Sequence, residues 1–328
     1  MIRITRAHLQ VAALTHPGLA GRQNEDRFAV SAYRLSETDR TPSVFAVLSD
    51  GIGGHRAGEV AAEIAVENIS RMVEQSNASE PLEILNHTIR ATSELISAKA
   101  KDDTQRLGMG TTCACAWVIG YKLFTASVGD SRIYLLRGQR IHQLTVDHTW
   151  VQEAVEKGIL PADQVHAHPN LHIIRRYLGS KEPPQPDLRM RLAKDESDTQ
   201  SRSHQGLRLI PGDTLLLCTD GLTDLVEADE IWETVHAASP SGSPAGAGLS
   251  SAAQALVNLA TSRGGPDNIT VVLLAVPGTP APKKKRKSWP WVVAGLIGLC
   301  LLVAVLIVLA FLVNHFLLPP LPNPTPFP

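Results

Sequence analysis

The stretch that decides the fold runs from residue 111 to residue 144 and reads TTCACAWVIGYKLFTASVGDSRIYLLRGQRIHQL. It contains three runs of apolar or β-branched residues that predict strands: Thr111–Ile119, Leu123–Val128 and Arg132–Arg137. Tight turns follow these runs at Gly120-Tyr121, Gly129-Asp130 and Gly138-Gln139. Connections this short join antiparallel strands, because parallel strands need a long crossover. The stretch therefore predicts an antiparallel meander.

The pattern extends in both directions along the chain. Further strands are predicted at Val44–Leu48, Thr214–Cys218 and Ile269–Val276. Apolar residues at helical spacing predict helices at Ala57–Glu74, Glu80–Lys99, His148–Lys157, Asp229–His236 and Ser250–Ser262. Composition predicts a polar surface insertion at 193–206 and a loop at 240–248. The expected fold class is α+β, with antiparallel sheets covered by pairs of helices.

Composition limits the class of protein. The 328 residues carry a formal net charge of −1, so nucleic acid is not expected as a partner. The 4 cysteines lack the spacing of a zinc site or a disulfide framework, which favours a reducing compartment. The first 18 residues lack an apolar core followed by a cleavage site, and we expect no signal peptide there.

The C-terminal part differs sharply from the rest. A basic cluster, Lys283 to Lys287, precedes an uncharged apolar run at 291–313. At about 1.5 Å per residue such a run crosses a hydrocarbon core of about 30 Å, so it predicts a transmembrane helix. A buried core helix is the weaker alternative, because the run is apolar on every side. Basic residues favour the cytoplasmic side, which predicts a single-pass protein of the cell membrane with residues 1–276 in the cytoplasm. Residues 277–290 are then a basic, proline-containing linker, and 314–328 a short proline-rich tail.

Acidic residues lie at the ends of several predicted strands. They are Asp50 and Asp220, each followed by glycine, Asp130 at a turn, Asp267 before a strand, and the pair Glu25 and Asp26. Singly, each is consistent with an ordinary turn. Together, carboxylates that cluster repel one another unless a cation lies among them, and oxygen ligands select hard ions such as Mg²⁺ or Mn²⁺. Two such ions about 3.5–4 Å apart activate a water molecule and hold a phosphoryl oxygen.

The order of these motifs carries a family resemblance. The segments NED, SDGIGGHRAGE, GMGTT, VGDSR, LTVDHT, LLCTDGLTD and GGPDNITVV resemble, in sequence order, the PP2C (PPM) metal-dependent protein serine/threonine phosphatases of bacteria. The resemblance covers roughly residues 5 to 276. It implies an α-β-β-α sandwich, in which two antiparallel sheets pack face to face between helices. It also implies two Mn²⁺ or Mg²⁺ ions per active site and a third, weaker ion, with no other cofactor.

The resemblance implies metal ligands at seven positions. Asp50 resembles the acid that bridges the two ions, and Gly51 would offer its carbonyl to one of them. Asp220 and Asp267 resemble the other direct ligands. The pair Glu25 and Asp26 resembles the acids that hold the second ion and its waters. Asp130 resembles a ligand of the third ion.

Two catalytic residues are implied as well. His55 matches the histidine proposed as general acid toward the leaving alkoxide, a role that contributes about 10²–10⁴-fold; its alternative is a solvent-facing loop residue. Arg22 matches the arginine that binds the phosphate. It departs from the family pattern, because it lies three residues before Glu25 where the family has four.

Other residues near these motifs have ordinary interpretations. Thr111, Thr112 and Arg132 are expected to be structural. Residues 158–179 correspond in position to a mobile flap in the family, and its histidines, His166, His168 and His172, are expected to be solvated rather than metal-bound.

The function implied is hydrolysis of phosphoserine and phosphothreonine in proteins by a metal-activated water, in signalling at a membrane. Phosphoproteins, a serine/threonine kinase among them, and the lipid bilayer are the expected partners. Two alternatives stay open. One is a pseudophosphatase that binds phosphopeptides, and the other is a hydrolase of a small phosphate compound, because substrate choice depends on surface loops.

Overall fold

The structure is a computed structural model that describes residues 1–21, 23–52, 57–161, 164–165, 168–193, 195–238, 247–278 and 302–310. The chain forms two compact units, residues 1–278 and 279–328. In the second unit, the described residues 302–310 form a helix.

The strands of the first unit, in chain order, are β1 Ile2–Ile4, β2 Gln10–His16, β3 Arg27–Arg34, β4 Pro42–Ser49, β5 Gly51–Ile52, β6 Gly110–Thr111, β7 Cys113–Ile119, β8 Lys122–Val128, β9 Arg132–Arg137, β10 Arg140–Gln143, β11 Leu207–Arg208, β12 Thr214–Cys218 and β13 Ile269–Ala275. The helices are α1 Gly58–Gln75, α2 Pro81–Lys101, α3 Trp150–Glu156, α4 Asp198–Ser203, α5 Asp220–Thr223, α6 Ala228–Ala238 and α7 Ala247–Ser262, with a 3-10 turn at Thr104–Arg106.

The strands form two main sheets. Sheet A has the order β1-β3-β4-β7-β8-β11, and sheet B has the order β10-β9-β12-β13-β2. Every pairing in both sheets is antiparallel. A two-stranded ribbon of β5 and β6 extends from the end of β4. The described strands therefore confirm the antiparallel α+β class.

Three hydrophobic clusters show the layering. Alternate residues of β4 point to opposite faces, as in any strand, and both faces are buried. Val44, Ala46 and Leu48 lie in the cluster between the two sheets. Phe45 and Val47 lie in the cluster that sheet A forms with α1 and α2. A third cluster lies between sheet B and the helices α6 and α7. The first unit is thus layered helix, sheet, sheet, helix, as the resemblance implied.

The helices cover the sheets through periodic small and apolar residues. In α1, the residues Ala61, Ala65, Ile69 and Val73 recur at intervals of four, and all of them are buried. Such spacing places them on one face, toward sheet A. The helix α2 begins with Pro81, which suits a first turn because proline lacks the N–H that the turn leaves unpaired.

The prediction of one continuous meander is wrong at its second turn. The strand β8 belongs to sheet A, whereas β9 pairs with β10 and β12 in sheet B. The Gly129-Asp130 turn therefore passes between the sheets, and Gly129 has a φ of 102° that favours glycine. The turn dipeptide gave the direction reversal correctly, but sheet membership depends on β12, which lies about 80 residues later.

The segment 193–206 is more than the polar surface insertion that its composition predicted. It contains α4, whose Ser201 is fully buried, and Gln205 donates a hydrogen bond of 2.8 Å to the backbone oxygen of Thr125 in β8. Composition did not predict this packing, because the segment is held by hydrogen bonds of polar side chains and not by burial of apolar ones.

The predicted transmembrane run 291–313 lies mostly outside the described residues, as does the tail 314–328. Within the described part of the chain, no helix combines the length and the apolar character that a membrane span needs.

Candidate metal centre

The backbone of Asp50 is fixed by two threonines. The strand β4 ends at Ser49, and the chain then turns into the β5–β6 ribbon. The Asp50 N–H donates to Thr112 Oγ1 at 2.9 Å, and Thr111 Oγ1 donates to the Asp50 carbonyl oxygen at 2.7 Å. The Thr112 N–H donates to the same oxygen at 2.9 Å. The two threonines thus have the structural role expected of them, and they set the position from which the Asp50 carboxyl projects.

Two glycines, Gly51 and Gly58, allow the Glu25 side chain to approach the backbone that follows Asp50. A Cβ added to Gly51 would lie 2.4 Å from the carbonyl of Gly58, at the start of α1. A Cβ added to Gly58 would lie 2.6 Å from Glu25 Oε2. Only hydrogen atoms fit in these gaps, so the pairs of glycines let the Glu25 carboxylate lie beside the Gly51 backbone.

Asp26 is buried beneath this group, at 2 % exposure. Its Oδ2 accepts hydrogen bonds from Thr270 Oγ1 at 2.6 Å and Thr219 Oγ1 at 3.0 Å. Burial raises the pKa of Asp26 to about 7; the two hydroxyls oppose the rise, and the charges of Asp220 and Asp267 add to it. The two threonines were missed by sequence reasoning, although each lies within three residues of a motif acid.

Asp220 and Asp267 arrive from neighbouring strands of sheet B. Asp220 follows β12 and opens α5, while Asp267 precedes β13. A Cβ on Gly221 would lie 2.0 Å from the carbonyl oxygen of Asn268, so glycine is required where α5 contacts β13. Burial, followed by the charges of Asp224 and Asp267, raises the pKa of Asp220 to about 6.

Asn268 joins the two sides of the site and was also missed from the sequence. Its Oδ1 accepts from the Glu25 N–H at 2.7 Å, and its Nδ2 donates to the Pro17 carbonyl at 3.0 Å. Its own N–H donates to Asp267 Oδ1 at 2.8 Å. The motif GGPDN contains Asn268, but asparagine after aspartate is also common in ordinary turns. The sequence therefore gave no signal that this side chain connects several parts of the site.

Asp130 reaches the same place from the turn between the sheets. It is 7 % exposed. Burial raises its pKa well above the ordinary value, and the charges of Asp220 and Asp147 add to the effect. Asp147 is itself paired with Arg132 through hydrogen bonds of 2.7 to 3.1 Å, which supports the structural role predicted for this arginine.

The carboxyls form one electrostatic unit around Asp50. Burial raises the pKa of Asp50 well above its ordinary value, and the acids that contribute after burial are Asp26, Asp220, Asp130 and Asp267. Three buried carboxyl oxygens, Asp26 Oδ1, Asp130 Oδ1 and Asp220 Oδ1, have no hydrogen-bond partner among the described residues. Buried oxygens of this kind normally have a partner. Carboxylate oxygens suit Mg²⁺ and Mn²⁺, so these residues fit a site for hard divalent cations.

The structure also places two residues there that were not predicted as site residues. Asp224 lies one helical turn after Asp220, and its Oδ2 is 3.3 Å from Nδ1 of His172. One ligand atom from each of Asp220, Asp224 and His172 lies within 4.8 Å of the others. The spacing of four residues in TDGLTD was a signal for Asp224, because residues i and i+4 share a helix face. His172 remains 64 % exposed, whereas His168 stacks on Trp150; His166 lies outside the described residues.

Two predicted catalytic residues cannot be located. Arg22 and His55 lie outside the described residues. The seven predicted metal ligands, in contrast, are all described, and their carboxyl groups and the Gly51 backbone converge at one edge of the two sheets, as the contacts above show.

Comparison with known proteins agrees with this arrangement. A family profile described as Protein phosphatase 2C matches residues 19–259. The chain belongs to the protein phosphatase 2C family. It is 33% identical over 276 residues to the serine/threonine protein phosphatase PstP of Mycobacterium tuberculosis, covering 84% of this chain and 46% of PstP. It is 32% identical over 271 residues to the protein phosphatase PhpP of Streptococcus pneumoniae, covering 82% of this chain and 98% of PhpP.

Solved structures of bacterial serine/threonine phosphatases show the same fold. The crystal structure of the M. tuberculosis phosphatase PstP/Ppp matches with a TM-score of 0.66 at 31% identity, covering 82% of this chain and 99% of that one. The serine/threonine phosphatase of S. agalactiae matches with a TM-score of 0.68 at 29% identity, covering 82% and 99%. The catalytic domain of PstP in complex with 2 manganese ions matches with a TM-score of 0.63 at 31% identity, covering 81% and 97%.

Proposed function

We propose that this chain is a metal-dependent protein serine/threonine phosphatase. The observation that carries the proposal is the convergence of four acids, Asp26, Asp50, Asp130 and Asp220, at one edge of the sandwich. Asp26 and Asp130 are buried, Asp50 and Asp220 are half-buried, and three of their carboxyl oxygens are unpaired among the described residues. Membership of the PP2C family and relatives named as protein phosphatases support the same reaction. The chain spans about half of PstP, so the activity of the whole protein is part of the proposal.

The residues of the metal centre would hold two Mn²⁺ or Mg²⁺ ions and a third, weaker one. Asp50 and the Gly51 carbonyl lie at its centre, and Glu25, Asp26, Asp220 and Asp267 surround them. The bound ions supply Lewis acidity, which activates water and stabilises charge on a phosphoryl oxygen. The protein's own contribution is to hold these carboxyl groups together although burial and mutual repulsion raise their pKa values, so that bound cations would favour their ionised form. Asp130, together with Asp220 and Asp224, would bind the third, weaker ion.

Two residues outside the described ranges complete the proposal. His55 donates a proton to the serine or threonine alkoxide as it leaves, and Arg22 binds the phosphate. The support for both is their place in the motifs GRQNED and SDGIGGH.

The substrates are phosphoproteins, a serine/threonine kinase among them, because the relatives are named as serine/threonine protein phosphatases.

We infer that the apolar run 291–313 tethers the chain to the cell membrane, with residues 1–276 in the cytoplasm. The support is the uncharged run after a basic cluster and the exposed apolar side chains of 302–310. The full chain should stay in the membrane pellet after an alkaline carbonate wash, and release into the supernatant would contradict the tether.

The experiment is Mn²⁺-dependent release of phosphate by the purified full chain from a phosphothreonine peptide and from p-nitrophenyl phosphate. Asp50→Asn and Asp220→Asn should abolish turnover on both substrates, whereas Asp195→Asn, at an exposed position away from the site, should not. Turnover on the small ester alone would favour a small-molecule hydrolase. A folded chain that binds Mn²⁺ and releases no phosphate would refute the enzyme and leave a phosphopeptide-binding protein.

A further inference from the structure

A buried histidine next to the metal centre has no place in the chemistry described above. His148 is 2 % exposed and lies just before α3. Its Nδ1 accepts a hydrogen bond of 3.0 Å from the Gly129 N–H, and its own N–H donates to the Gly129 carbonyl at 2.9 Å. Both polar groups of the Gly129 backbone are therefore held by one residue.

These contacts determine the state of the imidazole. A backbone N–H can only donate, so Nδ1 carries no proton, and the proton of the neutral ring is on Nε2. Nε2 is 3.4 Å from Asp187 Oδ2, which accepts that proton's hydrogen bond. Asp187, His148 and Gly129 thus form a chain of carboxylate, imidazole and backbone amide.

Asp187 is firmly held at the far end of this chain. Arg189 donates to its two carboxylate oxygens at 2.6 to 3.0 Å, and the backbone of Asp187 pairs with that of Ser127 at 2.9 and 3.0 Å. Burial acts to raise the pKa of Asp187, but the hydrogen bonds from His148 and Arg189 outweigh it, and the pKa is lowered. Asp187 is thus an ionised acceptor that orients the ring.

What His148 holds is the turn that carries Asp130. The turn lies between the end of β8 at Val128 and the start of β9 at Arg132, so neither sheet's ladder contains it. Its other side is tied to the metal centre, because Ser131 Oγ lies 2.7 Å from Thr112 Oγ1, which also accepts from the Asp50 N–H. Contacts outside the two sheet ladders therefore set the position of Asp130, and His148 supplies those on the Gly129 side through its ring and its backbone N–H.

The same residue is joined to the segment that ends the predicted flap. The His148 carbonyl accepts from the Arg175 N–H at 2.7 Å, and Trp150 N–H donates to the Ile173 carbonyl at 2.8 Å. His172, which faces Asp224, directly precedes this pairing. His148 is thus bonded to both the turn of Asp130 and the strand-like end of the flap.

We propose that His148 is a positioning residue: through Gly129 it fixes Asp130, and so sets how tightly the Asp130 part of the metal centre binds a divalent ion. The proposal rests on the proposed function insofar as it takes that centre to bind metal. His148 itself touches neither the ion nor the substrate.

Two isosteric replacements separate the contacts of the ring. In His148→Asn, the amide oxygen lies near the place of Nδ1 and still accepts from Gly129. In His148→Gln, the polar group lies near the place of Nε2, so Asp187 keeps a donor and the Gly129 N–H loses its acceptor. The control is His142→Gln. His142 Nδ1 also has a backbone partner, the Leu192 carbonyl oxygen at 2.8 Å, but this partner lies outside the Asp130 turn.

The measurements are Mn²⁺ titration of the full chain by calorimetry and hydrogen exchange of the amides of residues 129–131 followed by mass spectrometry. We expect His148→Gln to weaken the lowest-affinity Mn²⁺ site about tenfold, the effect of one lost buried hydrogen bond, and to speed exchange at the turn. The Mn²⁺ affinity of His148→Asn should stay within about threefold of that of the unmodified chain, and the affinity of His142→Gln should equal that of the unmodified chain. Thermal midpoints of all variants report any general loss of stability.

Two results would overturn the proposal. One is equal loss of Mn²⁺ affinity and of thermal midpoint in the Asn and Gln variants, which indicates a merely structural histidine. The other is unchanged Mn²⁺ binding and unchanged exchange at 129–131 in His148→Gln. Phosphate release by the unmodified chain is measured in parallel. It distinguishes failure of the His148 proposal from failure of the proposed function. If the unmodified chain binds no Mn²⁺, exchange at the turn alone decides whether His148 fixes it.

Discussion

The buried carboxyls make the metal-free protein sensitive to pH, and Asp26 is the residue at which this can be measured. Its pKa is raised from 3.8 to about 7, with burial as the main cause. The folded state therefore binds a proton that the unfolded state has lost between about pH 4 and pH 7. The free energy of unfolding must fall as pH rises through this window, because the unfolded state binds fewer protons.

The magnitude follows from the shift. One pKa unit corresponds to about 1.4 kcal/mol, so ionising Asp26 in the metal-free fold costs roughly 4 kcal/mol of stability. That is a large share of the roughly 5–15 kcal/mol that holds a typical domain folded. Asp220, whose pKa is about 6, acts in the same direction with a smaller effect.

The assay is urea unfolding of the full chain in a chelator at pH 5, 6, 7 and 8. Stability should fall across this series, and Asp26→Asn should remove a large part of the fall, because an amide does not ionise. Asp195→Asn, at an exposed acid, should leave the slope unchanged. Mn²⁺ at about 100 times its dissociation constant should restore about 2.7 kcal/mol at pH 8. The same pH slope in Asp26→Asn and in the unmodified chain would refute the reasoning.

Three other substitutions test particular contacts. Thr112→Val removes the acceptor of the Asp50 N–H, and should cost about 1–3 kcal/mol in urea unfolding and weaken Mn²⁺ binding in calorimetry; an unchanged Mn²⁺ affinity would contradict the role given to this hydroxyl. Gly129→Ala places a Cβ 2.6 Å from Thr112 Cγ2 at a φ of 102°, and should lower the thermal midpoint, whereas Gly138→Ala, with a φ of 60° and open space around it, should lower it less. Trp117→Phe leaves a buried serine hydroxyl without its donor and should cost about 1–3 kcal/mol in urea unfolding; a cost near zero would contradict this.

The predicted elements agree with the structure wherever the signal is local. The strands at Val44–Leu48, Thr214–Cys218 and Ile269–Val276 were predicted within two residues of β4, β12 and β13. Continuous apolar runs bounded by turn residues are a property of the segment itself. Strands with mixed composition were missed, and β2 is an example. It lies at the edge of sheet B, and its exposed residues alternate with partly exposed ones and the buried Ala12.

The residues of the candidate site also divide into those predicted from local pattern and those that depend on long-range contacts. The acids at strand ends were found because each follows or precedes an apolar run. Thr219, Thr270 and Asn268 were not found as site residues, since their contacts with Asp26 and Glu25 join positions 193 to 244 residues apart. A hydroxyl or amide in a strand is ordinary until its partner is known.

The sequence by itself determined the kinds of element, the acids that meet at the site and the family whose motif order they share, because these depend on short-range periodicity and on residue type. The tertiary structure alone decided that the Gly129-Asp130 turn crosses between the sheets, that Asp224 and His172 face each other beside Asp220, and that His148 holds the turn from behind. Each of these depends on which strands pair across the sandwich. That choice is made by packing and hydrogen bonding between segments far apart in the chain, and no local pattern encodes it.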